Sequence, residues 1–394
     1  MPPTSSGRRR CRRLLPAAAA IVLSMLGGPV LAAASSPAAT SPTGPAPVVG
    51  GDRLASSGTV ALESAGLPPP PAVSAAGWLV ADLDTGDVLA AHDAHGAFAP
   101  ASTLKILTAL TVIPKLVPTS QVLVTDDDVT VDGTRVGIVP GHSYTVASLL
   151  QGMLMVSGND AALALARAAG GVAPTVAAMN TEASSLQAYD THAATVDGLD
   201  AAGQTSSAYD LALLTRAALA LPTFRADVGT DRVEFAGSGV KPFQIANHNP
   251  LLGAINGVYG VKNGYTTAAQ ASYVGAAKRG RHDIVVVVMR TVPDFVPEAE
   301  RLFQWGFAVD GRITPVGTLV GPAGNGARTA HRAADPPAGA EIAAAATHSA
   351  TGGGFGHLAW LTGGVSAGMV LLLLLVGRRE QVRRRRRVRL ERRL

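Results

Sequence analysis

Three short polar clusters follow one another along the chain: Ser102-Thr103-Leu104-Lys105, Ser157-Gly158-Asn159 and Lys262-Asn263-Gly264. Together they hold a hydroxyl nucleophile, an amine that is a base when neutral, a second hydroxyl able to relay a proton, a carboxamide and a cation suited to a carboxylate. Those are the parts of acyl transfer through a serine without a histidine. Residues three apart on a helix share a face, so the Lys105 amine can reach the Ser102 hydroxyl. A helix N-terminus would also point free N–H groups and positive dipole at that place, favouring an oxyanion. A lysine of ordinary pKa, ~10.4, is neutral in fewer than about one molecule in a thousand at pH 7. Burial and a second cation, for which Lys262 is the candidate, must therefore lower it.

Each cluster has a plainer reading. Ser102 can be a helix cap with Lys105 solvated one turn on. The same spacing recurs at Ser238-Gly239-Val240-Lys241, where Gly237, Gly239 and Pro242 argue for a loop. Ser157-Gly158-Asn159 interrupts an apolar run, Met153 to Val156, that resumes at Ala161, so it either caps a helix or faces a cleft. Lys262-Asn263-Gly264 can be a turn with an exposed lysine. It can also lie on a strand edge left open by Gly260 and Gly264, with the Tyr265 N–H completing an oxyanion pocket. Lysine usage favours chemistry: the chain has 28 arginines and five lysines, and two of the five are Lys105 and Lys262. Arginine does not deprotonate, so it cannot replace a lysine base.

The elements that must carry these residues follow from the hydrophobic pattern. Trp78 to Leu83 and Val88 to Ala91 flank Asp84-Thr85-Gly86-Asp87 and predict a hairpin. Pro100 opens an apolar-periodic helix that ends before Pro114 and holds Ser102 in its first turn. Residues 146–169 carry a second long helical pattern, and 180–221 continue as helix and loop. Strands are predicted at 257–265, 271–277 and 283–289, then a helix at 298–307. Strands, helices, strands and a helix in that order predict an α+β fold with an antiparallel sheet flanked by helices, plus a mostly helical lobe.

The two ends set the compartment. Five arginines between Arg8 and Arg13 precede an apolar run from Leu14 to Leu31 and the small residues Ala32 to Ala34, which predicts a signal peptide at 1–34. A Pro/Ala-rich linker is expected at 35–76, the catalytic domain at 77–320 and a second linker at 321–357. The apolar stretch 358–377 is long enough to cross a hydrocarbon core, and the arginine-rich tail 378–394 marks the cytoplasmic side. The predicted protein is thus single-pass in the cell membrane with its domain outside the cytoplasm. Subtracting the five leading arginines and the net eight positive charges of the tail from the overall +5 leaves −8, so no nucleic-acid partner is expected. Cys11, the single cysteine, precedes the first apolar run and leaves with it. Neither a metal site nor a cofactor is predicted.

With the order of the clusters, the chain resembles the penicillin-recognising serine enzymes. More closely it resembles the D-alanyl-D-alanine carboxypeptidases among the low-molecular-mass penicillin-binding proteins. The likeness extends to Leu149-Leu150-Gln151-Gly152-Met153-Leu154, Met179-Asn180, Asp197-Gly198-Leu199-Asp200, Ser207-Ala208-Tyr209-Asp210 and Gly264-Tyr265-Thr266, covering residues 77 to 308. The resemblance implies a β-lactamase/DD-peptidase-like fold and an enzyme that removes the terminal D-Ala of peptidoglycan stem peptides. It implies Ser102 as nucleophile, Lys105 as base, Ser157 as proton relay, and Asn159, Lys262, Asn263, Gly264, Tyr265 and Thr266 as the substrate-binding set. β-Lactams would be covalent inhibitors. Asn263 departs from the Thr or Ser usual in the third motif. A class A β-lactamase would need a deacylating glutamate, and Glu182 and Glu234 both lack its asparagine partner. A DD-endopeptidase and a catalytically weak peptidoglycan-binding envelope protein are the other readings.

Overall fold

The computed structural model describes residues 48–323. The predicted signal peptide, transmembrane segment and basic tail lie outside these residues, as do most of the second linker and the start of the first. In chain order the elements are β1 (Thr59–Ala61), β2 (Gly77–Asp82), β3 (Asp87–His92), α1 (Lys105–Val112), β4 (Gln121–Leu123), α2 (Asp126–Val129), β5 (Ser143–Thr145), α3 (Val146–Met155) and α4 (Asn159–Ala168). There follow α5 (Val172–Ser185), α6 (Ala208–Leu219), α7 (Pro222–Gly229), β6 (Arg232–Phe235), β7 (Phe243–Ala246), β8 (Val258–Thr266), β9 (Gln270–Arg279), β10 (His282–Thr291), α8 (Val296–Val309) and β11 (Gly317–Thr318).

The main sheet runs β1-β3-β2-β10-β9-β8, with β11 also on β3, and all its pairings are antiparallel. β2 is buried throughout and β10 from Asp283 to Met289, because both faces are covered and their middles run in Val, Ile, Ala and Leu rather than an alternation. α8 packs Leu302, Phe303 and Trp305 with Val80, Ile284 and Val286 on one face. On the other, Val285 and Val287 join a core built with α1, α3, α4 and α6. Among the described residues no single helix is long and apolar enough to cross a membrane.

Residues 48–76 are not a free linker. Leu54 is buried, β1 pairs with β3, the Pro68 carbonyl accepts from the Trp305 indole N–H at 2.9 Å, and the Ser74 N–H donates to Glu298 at 2.7 Å. The Pro/Ala composition hid this, since a few apolar anchors and backbone groups suffice to lay an extended chain along a sheet edge. The long helical pattern at 146–169 also divides. α3 stops at Met155, Ser157 takes a left-handed backbone (φ 65°), and α4 begins at Asn159. Ser238 and Lys241 fall in the β6–β7 connection, as the glycines around them predict.

β8 is the edge strand beside the helical lobe. A bulge lies near its start: Val258 faces Ala277 and Gly260 faces Ala276, so two steps on β8 match one on β9. Beyond it Lys262 pairs with Val274 and Gly264 with Ser272.

Candidate active site

Ser102 sits in one turn of 3-10 helix, Ala101–Leu104, that runs directly into α1. Lys105 is the first residue of α1, so a single turn sets the geometry of both. The Lys105 amine donates to the Ser102 hydroxyl at 3.1 Å. It also donates to the Asn159 carboxamide oxygen at 2.7 Å and, more closely still, to the Asp197 carbonyl. Lys105 is fully buried. Burial lowers its pKa to about 8, against the opposing pull of Asp197 and Asp160. The cause differs from the sequence expectation, which gave a share to a neighbouring cation: desolvation carries this shift.

Asn159 is aimed by its amide, whose N–H2 donates to the Asp132 carbonyl at 2.7 Å. The loop that supplies Asp132 is held by Asp160. Its carboxylate accepts the backbone N–H groups of Val136, Gly137, Ile138 and Ala161 at 2.8 to 3.2 Å. Thus the residue after the second cluster fixes one wall of the cleft. Gly158 is the N-cap of α4, so the capping and cleft readings of Ser157-Gly158-Asn159 hold together. Ser157 is buried, but no hydrogen bond joins its hydroxyl to Ser102 or Lys105.

The opposite wall is β8. The pleat and pairing put Lys262 and Gly264 on one face and Asn263, opposite Tyr273, on the other. Lys262 is buried, and its amine donates to the Asn263 carbonyl at 2.7 Å. Burial and repulsion from Lys105 lower its pKa well below the usual lysine range. Gly264 is required by proximity: a Cβ there would lie 2.5 Å from the Ser102 backbone nitrogen. Asn263 is half-buried, and its carboxamide makes no hydrogen bond among the described residues. Tyr265 is 61% exposed. The Thr266 hydroxyl donates to Asp200 at 2.6 Å and accepts from the Ala269 N–H at 3.0 Å.

Sequence reasoning quoted residues 197–200 for their likeness but gave them no role, and they form the floor of the cleft. The Asp197 carbonyl serves Lys105, and Gly198, at φ 83°, lies so close to the Ala101 carbonyl oxygen that no Cβ fits. A carbonyl carries no side-chain signature. Gly198 was the one local signal.

The family model described as D-alanyl-D-alanine carboxypeptidase matches residues 64–292. The chain belongs to the D-alanyl-D-alanine carboxypeptidase family, which makes it a serine-type hydrolase. It is 41% identical over 265 residues to a D-alanyl-D-alanine carboxypeptidase of Mycobacterium tuberculosis, covering 66% of this chain and 90% of that one. A crystal structure of a D-alanyl-D-alanine carboxypeptidase from the same organism superposes with a TM-score of 0.62 at 41% identity, covering 65% of this chain and 99% of that one. A Streptomyces DD-transpeptidase superposes with a TM-score of 0.58 at 28% identity, covering 61% and 100%. Glu182 lies on α5 and Glu234 on β6, and among the described residues no carboxylate is hydrogen-bonded to Ser102. In this family member, then, the groups around the nucleophile are an amine, a carboxamide and backbone.

Proposed function

We propose that the chain is a serine DD-carboxypeptidase that removes the terminal D-Ala from peptidoglycan stem peptides, with Ser102 as nucleophile and Lys105 as base. The observation that carries this reading is the buried Lys105 amine 3.1 Å from the Ser102 hydroxyl, against a glycine-cleared strand edge. Burial lowers the pKa of both amines, and the charge of Lys105 lowers that of Lys262 further. A substrate carboxylate beside Lys262 draws charge onto that lysine and leaves Lys105 as the neutral base.

Ser102 Oγ then bonds to the carbonyl carbon between the two D-alanines as its proton passes to Lys105. The N–H groups of Ser102 and Tyr265 hold the oxyanion. Collapse breaks the C–N bond, and the departing amine takes a proton through Ser157. Water attacks the acyl-enzyme ester and frees the shortened peptide and Ser102. A β-lactam enters by the same acylation.

The body works outside the cytoplasm, tethered by 358–377 with 378–394 inside. This part of the reading is supported by the sequence pattern of the two ends. Protease treatment of intact cells should digest the body of a membrane-bound protein. Protection of the body in intact cells would refute the orientation.

The central test uses a fluorescent penicillin and a peptide ending in D-Ala-D-Ala. Covalent labelling and D-alanine release are expected for the native chain, and neither for Ser102→Ala. Equal labelling of both would remove Ser102 as nucleophile. Labelling of the native chain without D-alanine release would favour the weakly catalytic binding protein instead.

A further inference from the structure

The direction of a bound stem peptide follows from the site just described, and this inference rests on the carboxypeptidase reading. The terminal carboxylate belongs at Lys262 and the scissile carbonyl at the N–H groups of Ser102 and Tyr265. The chain preceding that carbonyl must therefore leave along β8 in the direction of Thr266, adding ~3.3 Å per residue. β8 is an edge strand, and among the described residues no further strand pairs along its outer side, where such a segment can lie.

Asp200 stands at that exit. One of its oxygens accepts the Thr266 hydroxyl at 2.6 Å. The hydroxyl cannot swing away, because it also accepts the Ala269 N–H at 3.0 Å. Two residues earlier, Gly198 is wedged against Ala101 and Ser102, so the position of Asp200 relative to the nucleophile is fixed from both sides. The residue is exposed, and it forms no ion pair among the described residues. The amines of Lys105 and Lys262 are buried deeper in the cleft and already engaged. An anchored carboxylate with an oxygen open to solvent thus lies where the residues before the D-Ala-D-Ala pair must pass.

We propose that Asp200 is a specificity-determining residue that pairs with a free amine on the side chain of the stem residue preceding D-Ala-D-Ala. The substrate class favoured is a stem whose diamino acid is not yet cross-linked. Once that amine is acylated, its charge is gone and so is the attraction. The enzyme would discriminate between stems with an open amine and stems whose amine has served as an acceptor.

Two peptides decide it, each a Nα-acetyl-lysyl-D-Ala-D-Ala, one with the ε-amine free and one with it acetylated. At low salt the native chain should show a kcat/KM about three- to fivefold higher for the free amine, as expected of a solvent-exposed ion pair. The preference should fade as ionic strength rises. Asp200→Asn keeps an acceptor for Thr266 and removes the charge, so its ratio should fall to about one. Asp200→Lys should favour the neutral peptide. Penicillin labelling of each variant reports that it is folded and acylates. Equal use of both peptides by the native chain overturns the proposal, as does a preference that survives in Asp200→Asn or at high salt. If the native chain releases D-alanine from neither peptide, the carboxypeptidase reading itself fails, and the proposal with it.

Discussion

The base makes the sharpest prediction, because its pKa comes from burial and is opposed by an identified carboxylate. With Lys105 at about 8, roughly one molecule in ten carries the neutral amine at pH 7. At an unperturbed ~10.4 it would be about one in two thousand five hundred. Acylation by penicillin, measured as a second-order rate on the free enzyme, should therefore climb about fiftyfold between pH 6 and pH 8 and level off above pH 9. Asp197 raises the Lys105 pKa, because its negative charge favours the protonated amine. Asp197→Asn removes that charge while leaving an oxygen for the Leu199 N–H, now received by Asp197 at 3.0 Å. The pKa should then fall, and the acid limb should move to lower pH, raising the rate at pH 6 relative to the plateau. A limb near pH 10, a flat profile from pH 6 to 9, or an Asp197→Asn limb displaced to higher pH would refute this account of Lys105.

Gly198→Ala puts a methyl group into the Ala101 carbonyl oxygen at a left-handed backbone position, and should cost about 1–3 kcal/mol in thermal or urea unfolding with a marked loss of penicillin labelling. Asp160→Ala strips the acceptor from four backbone N–H groups and should destabilise by about 3 kcal/mol, with Asn159 misplaced and acylation slowed even where the fold survives. Leu54→Ala should cost about 2–5 kcal/mol if the N-terminal strap is part of the folded body, and nothing if it is a linker. Burial, and after it the neighbouring charge of Asp190, pushes the Asp210 pKa up to about 8, so the fold holds it protonated where the unfolded chain would ionise it. That penalty is absent below the unfolded pKa and grows as pH rises toward 8. Asp210→Asn should therefore raise Tm by an increment that widens from pH 4 to pH 8, and a constant increment would argue against it.

The pair at the centre was legible because one helical turn sets it: a spacing of three suffices for Ser102 and Lys105, whatever the rest of the chain does. The β2–β3 hairpin, the β8–β10 strands and α8 were equally local, each written in its own apolar pattern and turn residues. Lys262 was legible as a motif, but its burial and its repulsion from Lys105 depend on the lobe packed across from it. What escaped was carried by backbone or by distance. The Asp197 carbonyl reaches Lys105 across 92 positions of sequence, and any residue type could have supplied it. The strap before β2 looked unstructured because proline, alanine and serine give no periodicity. Its anchors, Leu54 and the Pro68 carbonyl, are visible only against their receptors.

The bulge in β8 has a further consequence. Val258 and Lys262 are four residues apart, an even number, and on a regular strand would look the same way. Val258 packs with Ala277 among the side chains under α8, whereas Lys262 is paired with Val274, whose side chain joins the other core. One supernumerary residue inverts the phase between them, so a single ribbon can seal the oily underside and still carry its ammonium on the side of Lys105. Adding or removing one residue between 258 and 262 would therefore put Lys262 on the wrong face of the sheet.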